Sequence, residues 1–239
     1  KAELKKSLSR LEELDIQPEI LPGDADLLSN CCQEDFEVLI DIGHSRTLCV
    51  LSKEAKAILI RSLRQGMNDL HRSLQEHTEN ARETLHTFNV LAPRVEPESE
   101  EDGIALDSIL LGNIQQFSNS IRQLLIGFED QLEIEISKVK IFGGGSEIEG
   151  IEEFLSEEFG VPVQKCPLPL EATNLESPQQ FALAYWIGQC ATGNSHGREL
   201  NLRTEEFSYQ GNLEKLGTLL RFFSIAAVLL LSLGFGFFG

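Results

Sequence analysis

The stretch Val38-Leu-Ile-Asp-Ile-Gly-His-Ser-Arg-Thr47 puts a carboxylate, a glycine and two hydroxyls into one tight turn, and the apolar run Leu48-Cys-Val-Leu51 follows it. A strand ending in Asp-x-Gly and turning into a second strand is a natural phosphate cradle. Gly43 lets the backbone approach an anion closely, its neighbours point N–H groups inward, and Ser45 and Thr47 stand in the same turn. The Asp41 carboxylate is placed to hold a magnesium ion through a bound water. The same Asp-Ile-Gly also serves as an ordinary hairpin turn.

A second glycine turn lies downstream in Lys138-Val-Lys-Ile-Phe-Gly-Gly-Gly-Ser-Glu-Ile-Glu-Gly-Ile151. A strand over 139–142 runs into Gly143, Gly144 and Gly145, which can lie flat against a nucleobase or ribose. Ser146 is expected to cap a helix beginning near Glu147. In this order the two turns resemble the phosphate-two and adenosine motifs of the actin-like ATPase (ribonuclease H-like) superfamily, which includes actin, Hsp70 chaperones, sugar kinases, FtsA and PilM. That resemblance implies an α/β fold with ATP and magnesium as the possible ligands. The expected nucleotide contacts are Asp41, Gly43, Ser45, Thr47, Gly143, Gly144, Gly145 and Ser146, with no certain cofactor and no dedicated metal site.

Composition narrows the classes further. The chain has 239 residues and a formal net charge of −18, from 20 Lys+Arg against 38 Asp+Glu, which speaks against nucleic-acid binding. Five cysteines without C-x-x-C spacing argue against a disulfide framework or a zinc site and suit a reducing cytoplasm. His71, His77 and His86 fall on different helical faces and do not form a metal cluster.

The elements that must position the two turns follow from periodicity. Residues 1–14 read as an amphipathic helix with Leu4, Leu8, Leu11 and Leu14 on one side, and 16–21 as a short strand. Asp24 or Asp26 is expected to cap a short helix carrying Leu27 and Leu28. After the hairpin over 38–51, residues 57–63 give a further strand. Asn68 is then expected to cap one long helix reaching Phe88. Residues 92–103, with Pro93, Pro97 and an acidic run, read as a solvated loop. The stripe Leu110, Ile114, Phe117, Ile121, Leu124 and Phe128 marks the strongest helix, over 104–128. A helix over 148–159 closed by Gly160, an edge strand over 161–163 and a last helix over 181–189 complete the globular part, which ends near 193.

Phe222 to Gly239 carries no charge and meets the length expected of a membrane span, about 18 residues or more. Lys215 and Arg221 at its N-terminal edge put that side in the cytoplasm. The expected plan is an actin-like domain over 1–193, a juxtamembrane linker over 194–218 and a single transmembrane helix over 219–239, with the first phosphate loop and an outer domain missing.

The first part of that plan looks like PilM, and Leu200-Asn-Leu-Arg203 with the span looks like the start of PilN. Their fusion resembles the GspL family of type II secretion. That resemblance implies an inner-membrane platform scaffold that recruits the GspE-family secretion ATPase, pairs with GspM-like, GspF-like and GspC-like proteins, and forms a homodimer. A PilM–PilN-like protein of a type IV pilus and an active nucleotide-hydrolysing enzyme are the alternatives. Departures from the nucleotide-binding pattern favour a scaffold over a hydrolase. His44 stands where small residues are usual, and Glu149 where proline is common. Arg46 is a possible neutraliser of phosphate, and Asp24 and Asp26 are unconvincing partners for a hydrolytic water.

Overall fold

The computed structural model describes residues 1–32, 34–91, 106–168, 178–192, 201–209, 217 and 220–225. The chain divides into two compact units, 1–22 with 200–239 and 23–199. The sheet lies within 23–199, and the first helix groups with the segment from 200 onward.

In the smaller unit, α1 (Ala2–Glu13) ends in a Schellman closure. Asp15 takes the left-handed conformation (φ 59°), its N–H bonds Glu12 O, and Ile16 N–H reaches back to Leu11 O at 2.8 Å. The expected strand over 16–21 does not form. The segment has one isolated bridge, Pro22 to Asn201, and Asn201 Oδ1 accepts from Leu21 N–H. A single bridge stands in place of a ladder, since Pro22 has no N–H to extend it. Residues 220–225 are helical. Among the described residues no helix is long and apolar enough to cross a membrane, and the span expected over 219–239 lies, past 225, outside the described residues. The loop expected over 92–103 lies outside them as well.

The larger unit is a mixed five-stranded sheet with helices on both faces, in the order β3-β2-β1-β4-β5. The strands are β1 (Glu37–Ile42), β2 (Thr47–Lys53), β3 (Lys56–Leu63), β4 (Lys138–Phe142) and β5 (Val163–Lys165). β1 is antiparallel to β2 and parallel to β4, and β5 adds parallel to β4. Burial on both faces explains why β1 and β2 read as continuous apolar runs rather than alternating ones. Val38, Ile40, Cys49, Leu51, Val139 and Ile141 point into one core, while Leu39, Leu48, Val50 and Phe142 point into the other.

The first core is covered by α3 (Met67–Gln75), α4 (Ala81–Thr87), α5 (Leu106–Leu132) and α6 (Ile151–Phe159). The second is covered by α2 (Asp24–Ser29) and α7 (Ala182–Ala191), with Tyr185 and Trp186 packed against it. In α5, Leu110, Ile114, Ile121 and Phe128 are at most 1% exposed, and each contributes roughly 1.5–3 kcal/mol of burial.

Three local expectations are corrected. The long helix over 68–88 is two helices. At the break, Thr78 Oγ1 accepts from Asn80 N–H and offers the backbone a non-helical alternative. The N-cap of α3 is Gly66, whose N–H is held by the Asp69 carboxylate, and Asn68 is already inside the helix. Asp24 is the first residue of α2 rather than its cap, which is Gly23. Gly160 closes α6 in the left-handed conformation as expected (φ 73°).

A buried ion pair ties the sheet to α2. Lys140 Nζ lies 3.1 Å from Glu37 Oε2 and donates to Cys31 O at 2.7 Å, and both side chains are at most 3% exposed. Removing one member of such a pair strands the other charge in the core, which costs about 3–5 kcal/mol, while apolar or neutral replacement of both is far milder. Lys140→Met is therefore expected to lower unfolding stability by about 3–5 kcal/mol in urea titrations. Adding Glu37→Gln to it should recover most of that loss. Equal loss in the single and double variants would refute the account.

Candidate functional site

The site forms because β1 and β4 are parallel neighbours whose chains leave in opposite directions. After β1 the chain turns to β2 on one side, and the path from β4 leads to β5 on the other. The carboxyl ends of two such strands leave a crevice at the switch point, where open α/β sheets bind ligands. Asp41 pairs in register with Phe142, so both glycine turns emerge at the same end of the sheet.

Glycine is demanded there by contact. A Cβ on Gly43 would lie 2.9 Å from Arg46 O. Gly143 has φ +84°, and a Cβ would lie 2.5 Å from Asp41 Oδ1 and 2.6 Å from Ile42 O. Gly66, ahead of α3, packs so tightly on the first turn that a Cβ would come 2.6 Å from Gly43 O. The first two N–H groups of α3 donate to this turn, Met67 to Gly43 O and Asn68 to His44 O at 2.7 Å. Gly66 was visible in the sequence only as a break before a helix. Its part in the wall comes from a contact across 22 residues of chain that no local pattern reveals.

Between the two turns is a cavity of about 670 Å³, a size suited to a small organic ligand. Asp41, Gly43, Gly143 and Gly144 line it, as do His44, His86 and Glu147. An apolar side is supplied by Met67, Leu85, Phe142, Ile148 and Leu183. Gln179 fastens the second turn from outside the strand: its carbonyl accepts from Gly143 N–H at 3.1 Å, and its N–H donates to Glu147 Oε1 at 3.1 Å.

The remaining expected contacts lie elsewhere. Ser45 is exposed at the hairpin tip and does not line the cavity. Thr47 is buried and its hydroxyl donates to Gln65 O at 2.9 Å. Gly145 is buried against Ile42, where a Cβ would come 2.1 Å from Ile42 Cγ2. Ser146 is fully buried, its hydroxyl donating to Gly143 O at 2.8 Å. It does not start a helix. A single 3-10 turn spans Gly144–Glu147, and α6 begins only at Ile151 behind a left-handed Gly150. Arg46 pairs with the Asp24 carboxylate and is not among the cavity residues. Among the described residues no group of His, Cys, Asp and Glu is arranged to hold a metal ion.

Burial pushes the Asp41 carboxyl up to about 6, with nearby Asp24 adding to the rise and Arg46 opposing it. The folded protein thus holds a proton at Asp41 that the unfolded chain has already released between about pH 4 and pH 6. Stability falls as pH rises through that window, and the penalty is fully present above it. Asp41→Asn is expected to remove this contribution. The variant should gain melting temperature relative to the parent at pH 7.5 and lose that advantage at pH 4. A pH-independent difference between the two would contradict the burial of the carboxylate.

No family profile matches the chain, and no curated protein matches it in sequence. Solved structures do. The PilM-PilN type IV pilus biogenesis complex is similar at 19% identity and a TM-score of 0.51 over 72% of this chain, which spans 49% of that one. MreB5 of Spiroplasma citri bound to AMPPNP is similar at 13% identity and a TM-score of 0.57, over 80% of this chain and 65% of that one. The same protein bound to ADP gives 12% identity and a TM-score of 0.56. The chain thus spans about half of the first structure and just under two thirds of the second. Likeness at this level speaks to the fold: a mixed-sheet α/β unit of the actin-like ATPase type.

Proposed function

We propose that this chain is a scaffold of an inner-membrane assembly platform of the type II secretion kind, holding a GspE-family secretion ATPase at the membrane without hydrolysing nucleotide itself. The observation that carries the reading is the pairing of an actin-like fold similar to PilM-PilN with an uncharged apolar stretch over 222–239. In this reading that stretch anchors the chain as a single-pass protein with the actin-like unit in the cytoplasm. Partners of the GspM, GspF and GspC kinds and a second copy of the chain complete the platform.

The cavity supports binding more than turnover. Asp41, Gly43, Gly143 and Gly144 fit a nucleotide with magnesium held through water, and the apolar wall suits a base. ATP and magnesium bound there would supply a ligand-dependent brace between the two turns. Asp41 would orient the hydrated ion, and Gly143 and Gly144 would let the ligand lie against the backbone. Hydrolysis needs a positioned water and a cation on the transferring phosphoryl group. Arg46 is committed to Asp24, so both residues closest to those roles are engaged with each other.

A type IV pilus platform is the second reading, favoured by the same PilM-PilN likeness. Genomic neighbours encoding pilins rather than a secretion-type pseudopilin set would select it.

The test uses the full chain in membranes. A GspE-family ATPase is expected to co-purify with it, and loss of co-purification would overturn the scaffold reading. Phosphate release by the purified chain should not exceed that of Asp41→Ala, while any ATP affinity measured by calorimetry with magnesium should fall at least tenfold in that variant. Turnover that Asp41→Ala abolishes would establish an enzyme instead.

A further inference from the structure

β3 is one edge of the sheet and, at eight residues, its longest strand. One side of it pairs with β2, and the other presents the row of backbone N–H and C=O groups that a sheet edge leaves open. Its sequence, Lys-Ala-Ile-Leu-Ile-Arg-Ser-Leu over 56–63, holds no proline, so no backbone donor is lost along it. Leu59 and Leu63 pack against the first core and Ala57 against the second, which fixes the strand in place. Ile58 and Ile60 are left 40% and 48% exposed at its middle.

The charge around this edge runs against that of the chain. The protein carries 38 Asp+Glu and 20 Lys+Arg, yet residues 53–64 hold Lys53, Lys56, Arg61 and Arg64 against the single acid Glu54. Elsewhere in the same unit Arg46, Lys138, Lys140 and Lys165 each face a carboxylate. Among the described residues the four cations at β3 face none. Lys53 lies over the Phe36 ring at 5.1 Å, and Arg61 donates to the neutral acceptors Ile60 O at 2.9 Å and Gln131 Oε1 at 3.3 Å.

We propose that the open edge of β3 is a docking site for an extended acidic segment of a partner protein, which adds to the sheet as a sixth strand. Its main chain would pair with the free backbone row, the mode by which peptides extend an exposed sheet edge. Aliphatic side chains at its centre would cover Ile58 and Ile60, and carboxylates at its ends would answer Lys53 and Lys56 on one side and Arg61 and Arg64 on the other. Cations at both ends fit an acidic strand running in either direction.

The same charges reject other occupants. A second copy pairing antiparallel through β3 would set the Lys53 and Lys56 end of one strand against the Arg61 and Arg64 end of its twin, and like charges across a ladder destabilise it. A basic strand is refused for the same reason, so the edge selects by repulsion as well as by attraction. The proposal is independent of the platform reading: absence of a co-purifying secretion ATPase leaves it standing, and its own failure leaves that reading standing.

The test uses the full chain, purified in detergent, with three labelled eight-residue peptides followed by fluorescence anisotropy. The first is Glu-Glu-Val-Thr-Ile-Val-Glu-Glu, the second has lysine in place of every glutamate, and the third keeps the glutamates but has proline in place of Thr and the second Val. The acidic peptide is expected to bind about tenfold or more tightly than either of the others, with an affinity that falls as salt rises. Amide hydrogen exchange over 56–63 should slow when it binds. In Lys56→Glu with Arg64→Glu the preference should swap to the lysine peptide. Equal binding of the three peptides, binding of the proline peptide as tightly as the acidic one, or protection that falls outside 56–63 overturns the proposal. Protection of 56–63 that rises with protein concentration alone would assign the edge to a second copy and overturn it too. The peptide comparison and the exchange map are read on the parent chain, so neither depends on a variant folding.

Discussion

Parallel pairing of β1 with β4 is the constraint on which the rest of the molecule depends. Two strands running the same way cannot be joined by a tight turn, so the chain between them must cross over the sheet, and it does so through β2, β3 and the helices α3 to α5. That crossover buries one face of β1 and β4, where Val38, Ile40, Val139 and Ile141 are apolar. It also delivers both strand ends to the same end of the sheet. Gly143 is the local consequence: the backbone leaving β4 passes so close to Asp41 and Ile42 that no side chain fits.

Period-two alternation along β1 places Glu37 and Asp41 on the same face of the sheet, on either side of Leu39. Their environments separate them. Glu37 is fully buried and matched by Lys140 one strand over, so its charge is answered inside the protein. Asp41 is only partly buried at the open end of the strand and lines the cavity, and the nearby Arg46 is drawn off by Asp24. One carboxylate is therefore part of the framework, while the other is left incompletely satisfied where a ligand cation or proton can reach it. The same residue type four positions apart in one strand serves two ends, and the difference is which neighbour is close.

Much of this was legible in the sequence because it rests on local regularities. The Asp-x-Gly hairpin, the second strand running into three glycines, the stripe of α5 and the left-handed Gly160 all follow from period and from the conformational freedom of glycine. What escaped is non-local. Gly66 closing on the Gly43 carbonyl and Arg46 turning to Asp24 are contacts between segments whose spacing has no period. So is Gln179 holding the Gly143 turn. Ser146 was misread as a helix start for a related reason. A serine after glycines has the right chemistry for a cap, yet here the glycines themselves form a 3-10 turn and draw the hydroxyl back onto Gly143 O. Thr47 and Gly145 likewise belong to the packing behind the turns, since a residue adjacent to a site in sequence points away from it as often as toward it in a strand.

The way α3 meets the first turn bears on what the cavity can do. The N-terminal N–H groups of a helix are a ready anion site when they face a ligand. In this chain the first two are spent on Gly43 O and His44 O, and Gly66 is held by Asp69. The helix terminus therefore stabilises the shape of the turn rather than the charge of a phosphate. Any anion in the cavity must then be answered by the remaining backbone of the turns, by His44 or His86, or by a cation that the ligand brings with it.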